Sequence, residues 1–118
     1  MLEAHGDKPG ITYQTLHSDY DVEGTHTIGL PADDGQFHTY GMLWQADRIS
    51  WYVDDRLTAS GPTPADMHQP MFVVANLAIG GKWPGDPDSR TPFPATMEID
   101  YIRAWTVAPR STAATSAR

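Results

Sequence analysis

The segment FHTYGMLWQADRISWYVDDRL, residues 37–57, constrains the fold more than any other part of the chain. In its first half, Tyr40 and Trp44 fall on the same side of a pattern that alternates from one residue to the next. In its second half, Trp51 alternates with its neighbours in the same way. Such alternation of aromatic and β-branched residues is typical of β-strands. The polar residues between the two halves, 45–48, have the length of a hairpin loop. The segment therefore predicts a β-hairpin.

The turn after the second strand and the faces of the hairpin fit this prediction. Asp54 and Asp55 suit a tight turn, because short acidic side chains tolerate left-handed φ angles and bond to their own backbone. Three large aromatic side chains fall on the outward register, so this face is not expected to be plain solvent surface. A hairpin of a sandwich core is the first interpretation. Contact of some of these rings with a ligand is the alternative.

The rest of the chain predicts short strands and turns with little helix. The chain begins inside a strand at residues 1–4, and the apolar run MFVVANLAI, residues 71–79, predicts a strand buried on both faces. Further strands are expected at residues 11–17, 25–30, 57–60 and 96–105, and one helical turn at residues 64–67. Together these elements predict an all-β protein, an antiparallel β-sandwich.

Length and composition suit one domain. The chain has 118 residues, of which 40% are hydrophobic, enough for a real core. Its ten glycines and ten prolines suit many short strands and turns. Residues 1–107 are expected to form the domain. Residues 108–118, rich in Ser, Thr and Ala, are expected to form a disordered tail or the start of a linker.

Charge and hydropathy narrow the range of partners. The formal net charge of -7 argues against nucleic acid and anionic membranes. No apolar run approaches the ~18 residues of a membrane span, and the N-terminus shows no signal peptide pattern. The chain has no cysteine, which excludes disulfides and thiolate metal sites.

Carboxylates are the remaining candidates for chemistry. The sequence has no histidine pair at helical metal spacing, no glycine-rich phosphate loop between strand and helix, and no Gly-x-Ser-x-Gly elbow. Glu3 lies in a short apolar stretch, and its ordinary interpretation is a solvated charge. The segment 80–94 is long for a loop without a function, and Trp83 in its middle argues against disorder.

Three long blocks of sequence, with TYQTLHS at residues 12–18, carry a resemblance to a known family. The blocks are FHTYGMLWQADRISWYVDD, PMFVVANLAIGGKWPGDP and FPATMEIDYIRAW. In order and spacing they resemble the C-terminal half of glycoside hydrolase family 16, which includes laminarinases, lichenases and bacterial exopolysaccharide-cleaving β-glycanases. The resemblance implies a concanavalin A-like jelly roll, of which this chain would supply about half.

The same resemblance implies a catalytic role for Glu3. The family's motif is Glu-x-Asp-x-x-Glu, or one residue shorter, on the strand that precedes a TLH-type strand. Glu3 matches its last Glu, the general acid/base, whereas the nucleophile and the middle Asp would lie before Met1. Retaining glycosidases need two carboxyl groups about 5 Å apart. The chain alone is therefore expected to be inactive.

Four further positions match the family's functional residues. Trp83 resembles a residue that borders the sugar cleft, where a flat indole stacks on a pyranose. Asn76 resembles a cleft-facing residue, with a satisfied core amide as the alternative. His17 resembles a residue near the acid/base, with a plain strand-end histidine as the alternative. Asp100 resembles a residue that helps some members bind a structural calcium.

The function that the resemblance implies is retaining endo-hydrolysis of 1,3- or 1,3-1,4-linked β-glucan, or of a related bacterial exopolysaccharide, outside the cell. No cofactor is expected apart from a possible structural calcium ion. Two alternatives stay open: a non-catalytic glycan-binding module of the same sandwich type, and a shortened reading frame without activity.

Overall fold

The structure, a computed structural model, describes residues 2–19, the backbone of residues 25–28, and residues 34–107. The chain divides into two compact units, Met1–Pro87 and Asp88–Arg118. The expected tail at residues 108–118 lies outside the described residues, so the proposed domain end at residue 107 stays a prediction.

The first unit consists of two antiparallel sheets, each with three strands. The first sheet contains β1 (Leu2–Ala4), β2 (Thr12–Thr15) and β3 (Thr25–Ile28), and the second contains β4 (Tyr40–Trp44), β5 (Arg48–Val53) and β6 (Arg56–Pro62). A 3-10 turn, Ala65–Met67, follows β6 and is the one helical element of the described ranges. The predicted all-β, antiparallel fold class is confirmed. Over the described ranges, none of the helical segments has the length and apolarity needed to cross a bilayer.

The β4–β5 hairpin forms as its sequence predicts. The amide of Gln45 donates to the carbonyl of Arg48 at 2.9 Å and closes the loop between the strands. Asp54 and Asp55 adopt φ angles of 49° and 62°, in the left-handed region. The Thr39 amide donates to the carboxylate of Asp54 at 2.9 Å, which fastens the turn to the start of β4. The acidic turn prediction is therefore confirmed.

A small hydrophobic core lies under this hairpin. Leu16, Ile49 and Trp51 are its buried members, and the partly buried side chains packed against them are Trp44, Ala59 and Met67. Because Trp44 lies opposite Ile49 in the ladder, both side chains project from the same face of the second sheet. Each fully buried large apolar side chain contributes about 1.5–3 kcal/mol. The core interpretation of the hairpin is confirmed.

A polar contact joins the two sheets beside this core. Gln14 in β2 is fully buried, and its Nε2 donates to the Oγ1 of Thr58 in β6 at 2.6 Å. The Thr58 hydroxyl in turn donates to the carbonyl of Trp51 at 3.0 Å. Side chains alternate along a strand, so Gln14 faces the second sheet while Tyr13 and Thr15 project from the other face of β2. That other face carries the candidate site.

Two predicted strands, at residues 71–79 and 96–105, are absent from the structure. Both segments are irregular, and their apolar side chains are largely exposed, with Phe72 at 87% and Trp105 at 78% of full exposure. A strand exists only where a neighbour pairs its N–H and C=O groups. No described strand pairs with either segment. The expected burial of residues 71–79 on both faces is therefore also wrong.

The described part of the second unit is held by short-range contacts. The carboxylate of Asp88 accepts hydrogen bonds from the Arg90 amide at 2.8 Å and from its Nη2 at 2.8 Å. This hydrogen bonding to Arg90 lowers the pKa of Asp88. The guanidinium of Arg103 lies 4.2 Å from the centre of the Tyr101 ring, in cation–π geometry.

Candidate active site

The outer face of the first sheet gathers the candidate site residues through strand alternation. Glu3 lies directly opposite Tyr13 in the β1–β2 ladder, so both side chains project from the same face. His5 and Thr15 follow them by two positions along the chain. Period-two alternation therefore continues both rows on this face.

A hydrogen bond holds the Glu3 side chain on this face, at the edge strand β1. The hydroxyl of Thr15 donates to Glu3 Oε2 at 2.8 Å, and His17 Nε2 lies 3.8 Å from the same oxygen. The Glu3 side chain is only 24% exposed, whereas that of His17 is 60% exposed. Glu3 is therefore a partly buried carboxyl, and its catalytic role stays a prediction. Its carboxyl is oriented by the protein and still reachable from solvent.

The glycine-rich loop brings Trp83 to the same face. The Gly85 amide donates to the carbonyl of Gly81 at 2.9 Å and closes a tight turn with Trp83 at its tip. Gly81 has a φ of 125°, a conformation that other residues rarely adopt. The indole of Trp83 packs edge-on against the Tyr13 ring, with centroids 4.7 Å apart, and remains 53% exposed. Trp83 therefore has an open surface on the side of the sheet that carries Glu3.

His5 completes an aromatic cluster with these two residues. Its ring centroid lies 3.8 Å from that of Trp83 and 5.6 Å from that of Tyr13. His5 is 7% exposed, its Nδ1 lies 3.6 Å from the Asp7 carboxylate, and its Nε2 has no hydrogen-bond partner among the described residues. An unpaired buried polar group costs about 1–3 kcal/mol. The imidazole is thus placed against the indole at some cost.

Sequence reasoning missed His5 and Thr15. The first predicted strand ends at residue 4, before His5, although the alternation that starts at Glu3 already places His5 on the same face. Thr15 sits between Tyr13 and His17 in the same alternating row of β2. Period two along both strands was the signal that would have found these two residues.

An open depression of about 460 Å³ adjoins His17. Its lining residues are Leu16, His17, Ser18, Asp19 and Asp66. The Asp66 carboxylate accepts hydrogen bonds from the Ser18 hydroxyl at 2.7 Å and from the Asp19 amide at 3.0 Å. The Ser18 hydrogen bond is the main cause of a lowered pKa of Asp66. These bonds fix the segment after β2, and so the backbone that carries His17.

Two further predicted residues are exposed, one in each unit of the chain. Asn76 is exposed in the irregular segment that replaces the predicted strand, so it is neither a satisfied core amide nor a contact of Glu3. Asp100 is exposed in the second unit. Across the described ranges, no three or more His, Cys, Asp or Glu side chains group as a metal site would require. A calcium site that includes Asp100 stays a prediction.

Comparison with known proteins identifies the family. The profile described as glycosyl hydrolases family 16 matches residues 2–103. The chain belongs to glycosyl hydrolase family 16. Among curated proteins, it is 38% identical over 109 residues to "Endo-1,3-1,4-beta-glycanase EglC" of Rhizobium meliloti (strain 1021), covering 91% of this chain and 23% of that protein. No solved structure matches the chain.

Other relatives carry related names. "Endo-1,3-1,4-beta-glycanase ExsH" of the same organism is 37% identical, with 91% of this chain and 23% of that protein covered. "Glucan endo-1,3-beta-glucosidase A1" of Niallia circulans is 31% identical, with 89% and 18% covered. The chain thus spans less than a quarter of the length of these three relatives.

Proposed function

We propose that this chain is the part of a retaining endo-β-glucanase that carries the general acid/base, Glu3. The observation that supports this most is the Glu3 carboxyl, oriented by Thr15 and flanked by His17, on the face that also presents Trp83. Membership of family 16 and the names of the relatives support β-glucan as the substrate. The linkage would be 1,3 or 1,3-1,4, or that of a related bacterial exopolysaccharide.

The proposed chemistry assigns two successive proton transfers to Glu3. In the first step, its carboxyl protonates the glycosidic oxygen of the leaving sugar while a second carboxylate attacks the anomeric carbon. In the second step, Glu3 as carboxylate removes a proton from the water that releases the glycosyl intermediate. β1 carries only Glu3 as a carboxylate. The family motif would place the attacking carboxylate before Met1, about 5 Å from the acid in the folded enzyme.

The remaining roles follow from position and exposure. Trp83 would stack its open indole on a pyranose ring, and the exposed His17 would hydrogen-bond a sugar hydroxyl beside Glu3. A role for Asn76 in substrate binding requires a rearrangement of its exposed segment. We also propose an extracellular location, because a β-glucan or exopolysaccharide substrate is a polymer found outside cells. No cofactor, nucleic acid or membrane takes part in the proposal.

The test of Glu3 needs the missing carboxylate. Joining this chain to the upstream part of the EglC domain should give an enzyme that releases reducing sugar from laminarin and lichenan. In that enzyme, Glu3→Gln should lower the rate on these glycans ~10²–10⁴-fold, because the proton donor is lost. The loss should be smaller on aryl glycosides, whose leaving groups need little protonation.

Two outcomes would contradict the proposal in different ways. A joined enzyme indifferent to Glu3→Gln would remove the acid/base assignment. The matched control is Asp47→Asn on the exposed loop of the second sheet, which should leave the rate unchanged. Robust turnover by the 118-residue chain alone would show that its nucleophile lies within it.

A non-catalytic glycan-binding module is the second candidate. The observation that favours it is a half-exposed Trp83 beside a strand with one carboxylate. Binding of laminarin oligosaccharides by a joined protein that releases no reducing sugar would support this candidate over the enzyme.

A further inference from the structure

We propose that His5 is a positioning residue that fixes the indole of Trp83 relative to Glu3. The consequence for sugar stacking rests on the proposed function; the placement of Trp83 does not. His5 would thereby set which part of a bound chain lies beside the Glu3 carboxyl.

The His5 imidazole lies directly after β1, the strand that carries Glu3. His5 follows Glu3 by two residues, on the same face of the first sheet. Its carbonyl accepts a hydrogen bond from the Lys8 amide at 3.0 Å, which fixes the backbone where β1 ends. Any residue that contacts the His5 ring is therefore held at a defined place along the Glu3 strand.

Trp83 depends on ring contacts for its orientation. It stands at the tip of a loop in which Gly80, Gly81 and Gly85 all have positive φ angles. The His5 ring meets the indole at an angle of 63° and the Tyr13 ring meets it at 68°. Edge-to-face contacts of this kind have preferred geometry, unlike contacts between aliphatic groups. The two rings therefore orient Trp83 from β1 and β2.

Burial indicates that His5 acts within the protein rather than on a ligand. Its Nε2 is inaccessible to solvent and has no hydrogen-bond partner among the described residues, so a bound sugar would not reach it. Asp7 lies 3.6 Å from Nδ1 and favours one orientation of the ring. A side chain buried in this way affects a substrate only through the indole that it supports.

The first test measures Trp83 in the unaltered chain and in variants. NOEs between His5 and Trp83 ring protons should be present, and their absence would overturn the proposal. In His5→Ala, acrylamide quenching of the Trp83 emission should rise, by at most about twofold, because the His5 ring no longer covers its part of the indole. The Trp83 contribution is obtained by difference from Trp83→Phe. His5→Phe, which keeps an aromatic ring, should retain most of the shielding.

The matched control is His68→Ala, which removes an exposed histidine and should leave quenching unchanged. Unchanged quenching in His5→Ala would overturn the proposal. Should His5→Ala fail to fold, judged by circular dichroism, the NOEs in the unaltered chain decide the matter.

The second test separates this inference from the proposed function. In the enzyme joined to the EglC segment, affinity for a laminarin oligosaccharide should fall in His5→Ala and in Trp83→Ala. The double variant should bind no more weakly than Trp83→Ala, because His5 acts through the indole. Additive losses would overturn positioning. Unchanged affinity in Trp83→Ala would instead remove sugar stacking from the proposed function, and the quenching result would still decide the placement of Trp83.

Discussion

At the scale of single residues, Thr15 has the most direct effect on the candidate acid. Its hydroxyl hydrogen bond to Glu3 Oε2, at 2.8 Å, holds the carboxyl that would meet the glycosidic oxygen. Thr15→Val keeps the shape and removes the donor. In the joined enzyme we expect a loss of roughly tenfold in kcat on laminarin, since a hydrogen bond to a charged group is worth ~1.5–3 kcal/mol when fully used.

The control for this prediction is Thr15→Ser, which keeps the hydroxyl and should recover most of the rate. KM should change little in either variant, because Thr15 contacts the carboxyl and not the sugar. Equal losses in the valine and serine variants would show that Thr15 acts through packing alone.

At the scale of elements, an ionic cluster of His38, Asp34 and Asp54 connects the segment before β4 to the turn after β5. His38 Nδ1 lies 2.7 Å from Asp54 Oδ2, and its Nε2 lies 3.0 Å from Asp34 Oδ1. The hydrogen bond with Asp54, followed by that with Asp34, raises the pKa of His38 above its ordinary 6.5. The hydrogen bond with His38 is also the main cause that lowers the pKa of each carboxyl below 3.8.

These pKa shifts predict the pH range over which the ionic cluster stabilises the folded state. The contribution of His38 to the stability of the folded state is fully present below pH 6.5. It is lost as the pH rises through the raised pKa of His38. The contribution of Asp34 and Asp54 to the stability of the folded state is present above pH 3.8. It is lost as the pH falls through the lowered pKa values of these two carboxyl groups. Between these limits, hydrogen exchange of the Thr39 amide, which bonds to Asp54, should be slower than in His38→Gln.

At pH values above the raised pKa of His38, where its ring is neutral, the difference in Thr39 exchange between the two chains should shrink. His68→Gln, at an exposed position, should match the unaltered chain at every pH. A difference in Thr39 exchange that does not change with pH would contradict the proposed stabilisation by the ionic cluster.

At the scale of the whole molecule, the exposed apolar segments dominate the expected behaviour. Phe72 is 87% exposed, Val73 68% and Val74 67%, and no described strand pairs with their backbone. Unpaired apolar segments of this kind associate with one another. We expect the isolated chain to self-associate with increasing concentration, measured by light scattering during size-exclusion chromatography. Replacing Phe72 and Val74 by Asp should reduce this association.

The matched control is Leu57→Asp, which charges an isolated exposed leucine, 55% exposed, in the paired strand β6. It should leave self-association unchanged. A monomeric chain with sharp, dispersed amide signals at high concentration would refute the prediction.

Local sequence determined much of the fold and part of the site. The hairpin from Tyr40 to Val53 and the Asp54–Asp55 turn formed as predicted, because each depends on residues near in sequence. The 3-10 turn at Ala65–Met67 also lies where one helical turn was expected. Resemblance to family 16 indicated Glu3 and His17, which the structure places 3.8 Å apart at their nearest polar atoms. Their roles stay predictions.

Only the tertiary structure decided which apolar runs become strands and which rings meet. Residues 71–79 have the composition of a buried strand, but pairing requires a neighbouring strand, and composition does not supply one. The contact of His5 with Trp83 joins residues far apart in sequence, so it depends on how the glycine loop returns to the first sheet. Sequence thus determined the local turns and alternation, whereas long-range pairing, set by the available partners, decided the rest.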